Sequence, residues 1–237
     1  MPYQKTIMRN YFLLLLLIAF LGSCGDDPAK TMTVSGNIKG LKKGMLYLQH
    51  VSDSVLVTKD SLEIDGDGNF SLSTPIESPE IFYLYLSKND NNEVNDRITF
   101  FGEPGIITIN TKWDRFDQGA KIEGSESNMT LEEFKTSLSQ MNIRNMKLMQ
   151  QAGNTEIPLD SLQLDSLRKK SDRNIQLTYA FALNFALNHK DSHVAPYIAL
   201  FEVADANPKY LDSISKSLTP EIADSKYGKL LRERLKK

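Results

Sequence analysis

The sequence predicts an α+β protein in two segregated parts, an antiparallel β-sandwich or barrel-like domain followed by a helical domain. Two observations carry this prediction. Between residues 32 and 124, short runs alternate apolar and polar residues and are separated by turns rich in glycine, proline and asparagine. Beyond residue 124, apolar residues recur at helical spacing. The predicted domains are therefore residues 32–124 and residues 125–237.

Eight runs in the first part have the composition of strands. Short strands with turns at such spacing are typical of a sandwich or barrel. In the run EIFYLYLS, apolar or aromatic residues occupy both faces, which indicates a central strand. The predicted strands are 31–38, 44–51, 54–64, 69–75, 80–87, 96–101, 105–111 and 120–124.

The second part is predicted to form five helices. Thr130 and Glu133 have the spacing of a capping box, which places the start of the first helix there. Gly153-Asn154 ends it, and a second helix runs from Pro158 or Asp160 to about residue 188. A third follows Asp191-Ser192 and ends near residues 206–208. Two short helices are predicted around 208–217 and 220–236.

The N-terminus has the features of an export signal. The first ten residues carry Lys5 and Arg9 and no acid, and the apolar run 11–21 follows. This run is too short to span a bilayer and suits the h-region of a signal peptide. Residues 1–23 are therefore predicted to be a signal peptide, and residues 24–31 a tether.

The segment Leu21-Gly22-Ser23-Cys24 resembles a bacterial lipobox. The resemblance implies cleavage between Ser23 and Cys24, followed by acylation of Cys24. Cys24 is the only cysteine, and acylation would remove a thiol that is a liability in an oxidising compartment. Stable anchoring takes more than one acyl chain. A plain secretory signal with an incidental cysteine, or an uncleaved N-terminal anchor, remains an alternative.

The charge excludes one class of partner. Loss of residues 1–23 removes two basic residues and no acid, so the net charge changes from −2 to −4. A nucleic-acid-binding protein would show a basic patch or stripe, so nucleic acid is not expected as a partner. Asp26 and Asp27 resemble acidic signals for lipoprotein export to the cell surface. We expect a lipid-anchored protein of the outer membrane, on its cell-surface or its periplasmic face.

Three stretches within residues 32–124 resemble a known family. VSGNIKGLKKGMLYLQ, DSLEIDGDGNFSLSTPIESPEIFYLYL and FFGEPGIITIN are similar to a domain of unknown function, number 4369. The resemblance implies a Bacteroidota lipoprotein, in which this domain usually precedes a helical segment and a thioredoxin-like disulfide reductase domain. Residues 217–235 resemble the helical connector to that domain.

The reductase activity cannot be carried over from this resemblance. The sequence has no Cys-x-x-Cys motif, and disulfide exchange needs a thiolate nucleophile. No catalytic residue is transferred, and no nucleophile elbow or triad context is present. We therefore expect no enzymatic activity and no cofactor.

Two polar motifs suggest metal binding but have simpler explanations. Asp65, Asp67 and Asn69 match the start of an EF-hand loop, but Phe70 replaces its glycine. A hairpin turn between two strands is the preferred interpretation. His189 and His193 flank a helix break, so both are predicted to be surface loop residues. No metal site is predicted.

Aromatic and methionine side chains are the remaining candidates for ligand contact. Trp113 lies in the polar stretch TKWDRFDQ and is the best candidate for an exposed contact, with Tyr83 and Tyr85 as further candidates. Packing within the sheet is the alternative for the aromatic residues. Met141, Met146 and Met149 suit either an adaptable binding face or a helix–helix core. Met141 and Met149 are predicted to extend the apolar stripe of the first helix, whereas Met146 lies off it.

The sequence as a whole predicts a lipid-anchored, non-enzymatic binding or interaction module of the cell envelope, held at the membrane through the lipid on Cys24. An envelope protein is the expected partner. One alternative is an accessory component of a thiol–disulfide system whose catalytic domain lies on another chain. A second alternative is a surface protein that binds a solute or glycan.

Overall fold

The computed structural model describes residues 30–88, 97–153 and 159–236. Its first part contains eight strands, which confirms each predicted strand with ends that agree within one residue. Asp96, the predicted start of the sixth strand, lies outside the described residues. The strands are β1 (Thr31–Lys39), β2 (Lys43–Ser52), β3 (Val55–Asp65), β4 (Asn69–Pro75), β5 (Glu80–Ser87), β6 (Arg97–Gly102), β7 (Gly105–Lys112) and β8 (Lys121–Glu123).

These strands form two packed sheets. The strand orders are β4-β1-β7-β8 and β3-β2-β5-β6. All pairs are antiparallel except β1 with β7, which are parallel. One hydrophobic core collects side chains from both sheets, including Val34, Ile109, Leu48 and Phe100, all of which are fully buried. Burial of each such side chain stabilises the fold by about 1.5–3 kcal/mol. The predicted sandwich within an α+β fold is confirmed.

Strand β5 contributes to both parts of the molecule. It lies between β2 and β6, as predicted for a central strand. Successive side chains of a strand point to opposite faces, so Phe82 and Leu84 enter the sandwich core while Ile81 packs against the helices. The helical part therefore covers the outer face of the second sheet.

The turn at residues 65–68 joins β3 to β4. Gly66 and Gly68 adopt φ angles of 134° and 77°, which glycine tolerates best. Residue Asn69 donates backbone and side-chain hydrogen bonds to Asp67, and these lower the pKa of that carboxyl. The predicted turn is confirmed, but the predicted hairpin is wrong, because β3 and β4 belong to different sheets. Local turn chemistry is the same whether the chain returns to its own sheet or crosses to the other.

The second part is helical, and its core includes Ile81 and Phe101 from the sheet. Gly153 ends the first helix and Asp160 caps the second, both as predicted. Asn154 and Pro158 lie outside the described residues. The helices are α1 (Glu126–Ala152), α2 (Ser161–Asn188), α3 (Val194–Tyr197) with a π-helical continuation (Ile198–Glu202), α4 (Pro208–Ser217), α5 (Pro220–Asp224) and α6 (Lys226–Leu235).

Three helix boundaries differ from the prediction. The third predicted helix ends at Glu202 and not near residues 206–208. Helix α1 begins four residues before Thr130, because Ser125 is its N-cap and accepts a hydrogen bond from the backbone N–H of Asn128 at 2.9 Å. Thr130 lies within the helix and donates to the carbonyl of Glu126. The final predicted helix is divided at Ser225, whose side chain caps α6 by accepting from Gly228 N–H.

Helices α1 and α2 pack as an antiparallel hairpin whose seam is partly polar. Ser171 donates a 2.8 Å hydrogen bond to Asn145, and Asn174 donates a 3.1 Å bond to the carbonyl of Met141. Met141 is half-buried in this seam, whereas Met146 and Met149 are 65% and 64% exposed. The predicted place of Met149 on the apolar stripe is therefore wrong, because Asn145 and Leu148 take the seam positions there.

Candidate functional site

A cleft of about 1490 Å³ opens where the sandwich meets the helical part. We call it the junction cleft. Its polar lining comes from both parts, and the three histidines of the chain all contribute. The charged and histidine side chains of the lining include His50, Glu77, Glu80 and Glu103 on the sandwich side, and Glu126, Asp191, His189, His193, Glu221 and Lys226 on the helical side.

One wall of the junction cleft is built around a buried carboxylate. Glu80, the first residue of β5, is 8% exposed. Its Oε1 lies 3.1 Å from Nδ1 of His50 on β2, and its Oε2 accepts from the ammonium of Lys226 on α6. Lys226 also donates to the carbonyl of Val51 at 3.2 Å. A buried charge needs such partners, so this cluster fixes α6 against the sheet.

Two further bonds hold α6 at the same place. The backbone N–H of Lys226 donates to the hydroxyl of Ser78 at 3.0 Å. The N–H of Ile81 donates to the hydroxyl of Tyr227, also at 3.0 Å. Burial raises the pKa of the Tyr227 phenol well above its usual range. The phenol therefore stays neutral and acts as a fixed acceptor.

Glu103 lines the junction cleft beside the N-terminus of α1. Its carboxylate accepts from the backbone N–H groups of Glu126 at 2.5 Å and Ser127 at 3.3 Å. A carboxylate at this position is stabilised by the partial positive charge of the helix N-terminus. The negative charge of Glu103 is thereby held in one orientation within the cleft.

The lining on the helical side includes His189 and His193, which lie between α2 and α3. Both are in the loop where the sequence placed them, but the surface position predicted for them is wrong because both are half-buried. The ring of His189 stacks on Phe185 at 3.9 Å, and its Nδ1 lies 2.8 Å from the Phe185 carbonyl. The loop packs against the helical core, and this packing partly buries the two imidazole rings.

His193 differs from the other two histidines. Its Nδ1 is buried and has no hydrogen-bond partner within the described residues. Burial lowers the pKa of His193, while the carboxylates of Glu221 and Glu103 act in the opposite direction. The lining of the junction cleft therefore includes an imidazole that favours its neutral form near the carboxylates of Glu221 and Glu103, with a buried ring nitrogen that has no partner among the described residues.

The aromatic candidates from the sequence lie elsewhere. Trp113 is 48% exposed, and it packs so closely on Gly40 that a Cβ there would lie 2.5 Å from the indole ring. Tyr83 and Tyr85 share the guanidinium of Arg97, which lies 5.4 Å from each ring centre. None of the three lines the junction cleft. Their role in ligand contact stays a prediction.

The predicted anchor residues lie outside the described part of the chain. This applies to Ser23 and Cys24. Among the described residues, no helix has the length and apolar character needed to cross a bilayer. The same part of the chain contains no group of three side chains suited to holding a metal ion.

Comparison with known proteins supports the domain resemblance. Residues 32–131 match the family model of a domain of unknown function (DUF4369). The match covers the whole sandwich and the first turns of α1. No curated protein and no solved structure gives a significant match.

Sequence reasoning missed the junction cleft as a site. Glu80 was visible as an acid at the start of an apolar strand, and such a residue needs a partner once buried. Its partner Lys226 is 146 positions away, and no local pattern links the two.

Proposed function

We propose that the protein is a lipid-anchored cell-envelope protein that binds a ligand in the junction cleft without catalysing a reaction on it. The observation that carries this proposal is the cleft itself. It is large, it is shared by both parts of the molecule, and charged and hydrogen-bonding groups converge in it. Such convergence is the usual mark of a binding site.

The anchor in this proposal is Cys24. It is supported by the sequence alone, through the basic start, the apolar run and the lipobox-like segment that ends at the only cysteine. The sequence resemblance of residues 32–124 to this domain implies a relationship to Bacteroidota lipoproteins, whereas the family model itself identifies only the domain, over residues 32–131. In this proposal the protein sits on the outer membrane, on either face, and acts on its own or beside a thioredoxin-like protein.

The anchor is tested by metabolic labelling with a radioactive fatty acid in a host with the lipoprotein pathway. The full chain should take up label and fractionate with membranes. The Cys24→Ala variant should do neither. Label retained by Cys24→Ala would exclude this cysteine as the acylation site.

The binding site is tested by photocrosslinking in cells. A photoreactive residue at Val57 or Lys229, both of which line the junction cleft, should capture a specific molecule. The same photoreactive amino acid, placed at Trp113 or Tyr85 in separate variants, is the matched control and probes the aromatic surfaces. Capture from Trp113 and not from the cleft would move the site to the aromatic surface and overturn the proposal.

A further inference from the structure

The junction cleft is strongly negative for a protein of this composition. Seven carboxylates and three lysines line it, so its net charge is −4 with neutral histidines, against −2 for the whole chain. Charge of one sign in a low-dielectric cleft focuses the field and attracts the opposite charge.

Some of these carboxylates have partners and others do not. Glu80 is paired with Lys226, and Asp224 is paired with Arg232. Among the described residues, the structure gives no ion pair for Glu77, Asp191 or Glu221. The uncompensated charge therefore lies at the open side of the cleft, where these three residues are exposed.

His193 is an independent indication of the same preference. Its buried Nδ1 lacks a partner within the described residues, and an unsatisfied buried polar atom has a substantial free-energy cost. A neutral imidazole can use one ring nitrogen as an acceptor. Because this nitrogen is closed to solvent, an ammonium or guanidinium group of a ligand would donate to it only after the ring rotates towards the cleft, close to the carboxylates of Glu103 and Glu221.

The size of the cleft favours an extended ligand. Pockets for small molecules usually measure about 300–1,000 Å³, and the junction cleft exceeds that at about 1490 Å³. Several residues of a peptide fit such a volume.

Lys30, the first described residue and part of the predicted tether, lies beside the cleft and would hold it close to the membrane. The backbone N–H of Ile76 donates to the carbonyl of Lys30 at 2.8 Å, and Pro75, Ile76 and Glu77 all line the cleft. Lys30 lies only six positions after Cys24, and an extended chain of that length spans about 20 Å. If Cys24 carries the anchor, the rim of the cleft at Ile76 is held within that reach of the lipid surface.

We propose that the junction cleft binds a lysine- or arginine-rich peptide segment that a partner protein presents at the membrane surface. This inference rests on the proposed function, because it names the ligand of the same cleft. The carboxylates favour a positively charged ligand, and the volume favours a segment of several residues. The short tether favours a partner that lies at the membrane.

The test uses the full chain purified in a neutral detergent and two labelled peptides, hexalysine and hexaglutamate. Hexalysine should bind and hexaglutamate should not. The double variant Glu77→Gln/Glu221→Gln should weaken hexalysine binding at least about tenfold. The matched control Glu63→Gln/Glu132→Gln removes the same charge at two exposed positions outside the cleft and should retain most of the affinity.

Equal losses in the two double variants would show general charge attraction and overturn the inference. Absence of hexalysine binding would overturn it as well. If the cleft still captures a molecule in cells in either case, the proposed function stands and only its ligand class is wrong. Thermal unfolding of each variant confirms that the fold is retained.

Discussion

Glu80 and Lys226 form an ion pair across the junction between the β-sandwich and the last helix, although 146 positions separate them in the sequence. The side chains are 11% and 32% exposed, respectively. The pair therefore both closes the junction and forms one wall of the cleft. Its position means that the stability of the two-part arrangement and the shape of the candidate site depend on the same contacts.

Loss of Lys226 should destabilise the protein. In Lys226→Met the apolar stem remains but Glu80 keeps a largely buried charge without its ammonium partner, so we expect the free energy of unfolding to fall by about 2–4 kcal/mol. Denaturant unfolding measures this. The double variant Glu80→Gln/Lys226→Met should recover most of the loss because no buried charge remains.

Lys43→Met is the matched control for this experiment. Lys43 pairs with Asp65, but the two side chains are 80% and 72% exposed, so the change should stay within about 0.5 kcal/mol. Equal losses of unfolding free energy in Lys226→Met and Lys43→Met would show that the junction pair stabilises the fold no more than an exposed pair does.

Ser125 should be more important than Thr130 for the start of α1. Ser125 accepts from Asn128 N–H and donates to the carbonyl of Phe101, both at 2.9 Å. Removal of an N-cap costs about 1 kcal/mol, and up to about 2 in favourable settings. Ser125→Ala should therefore lower the free energy of unfolding by about 1–2 kcal/mol. Thr130→Ala should be nearly neutral, since Thr130 lies within the helix. A larger loss for Thr130→Ala than for Ser125→Ala would show that Thr130 is the N-cap after all.

His193 should make stability depend on pH. Burial lowers its pKa from the ordinary value of 6.5, so the unfolded chain takes up a proton first as the pH falls. The stabilisation is complete above about pH 6.5 and is lost as the pH drops from there towards the lower pKa of the folded state. The slope from one proton is at most about 1.4 kcal/mol per pH unit.

The measurement is the free energy of unfolding between pH 7.5 and pH 5 for the wild type and for His193→Gln. The variant should show a shallower decline, since it cannot take up this proton. Glu221 and Glu103 act against the shift, and both are kept in the comparison. Parallel pH profiles for the two proteins would exclude His193 as a source of the dependence.

Local sequence patterns were sufficient to predict the strands and most helices, but they were insufficient to predict the junction cleft. The alternation in NFSLSTP gives β4 with its exact ends, because each buried residue is flanked by exposed ones. Thr130-x-x-Glu133 has the spacing of a capping box but does not cap the helix. The N-cap is Ser125, whose hydroxyl also bonds to the carbonyl of Phe101, and this partner is brought near only when the sheet packs against the helix. His193 looked like a surface loop residue because its burial comes from the sandwich and helices that meet around it.

A ligand should occupy the junction cleft in the cell, and the accessibility of cysteine thiols placed in the cleft measures this occupancy. Cys24 is the only cysteine, and acylation blocks its thiol in the proposed function, so single cysteines introduced at Lys229 or Lys59 in the cleft, and at Ser71 on the outer side of β4, can be labelled selectively with a membrane-permeant maleimide. Lys229, Lys59 and Ser71 are all exposed in the structure. Labelling rates are compared between intact cells and the purified chain. The two cleft cysteines should react at least about tenfold more slowly in cells, while the rate at Ser71→Cys should be unchanged. Equal rates in cells and in purified protein at all three positions would show that no ligand occupies the cleft.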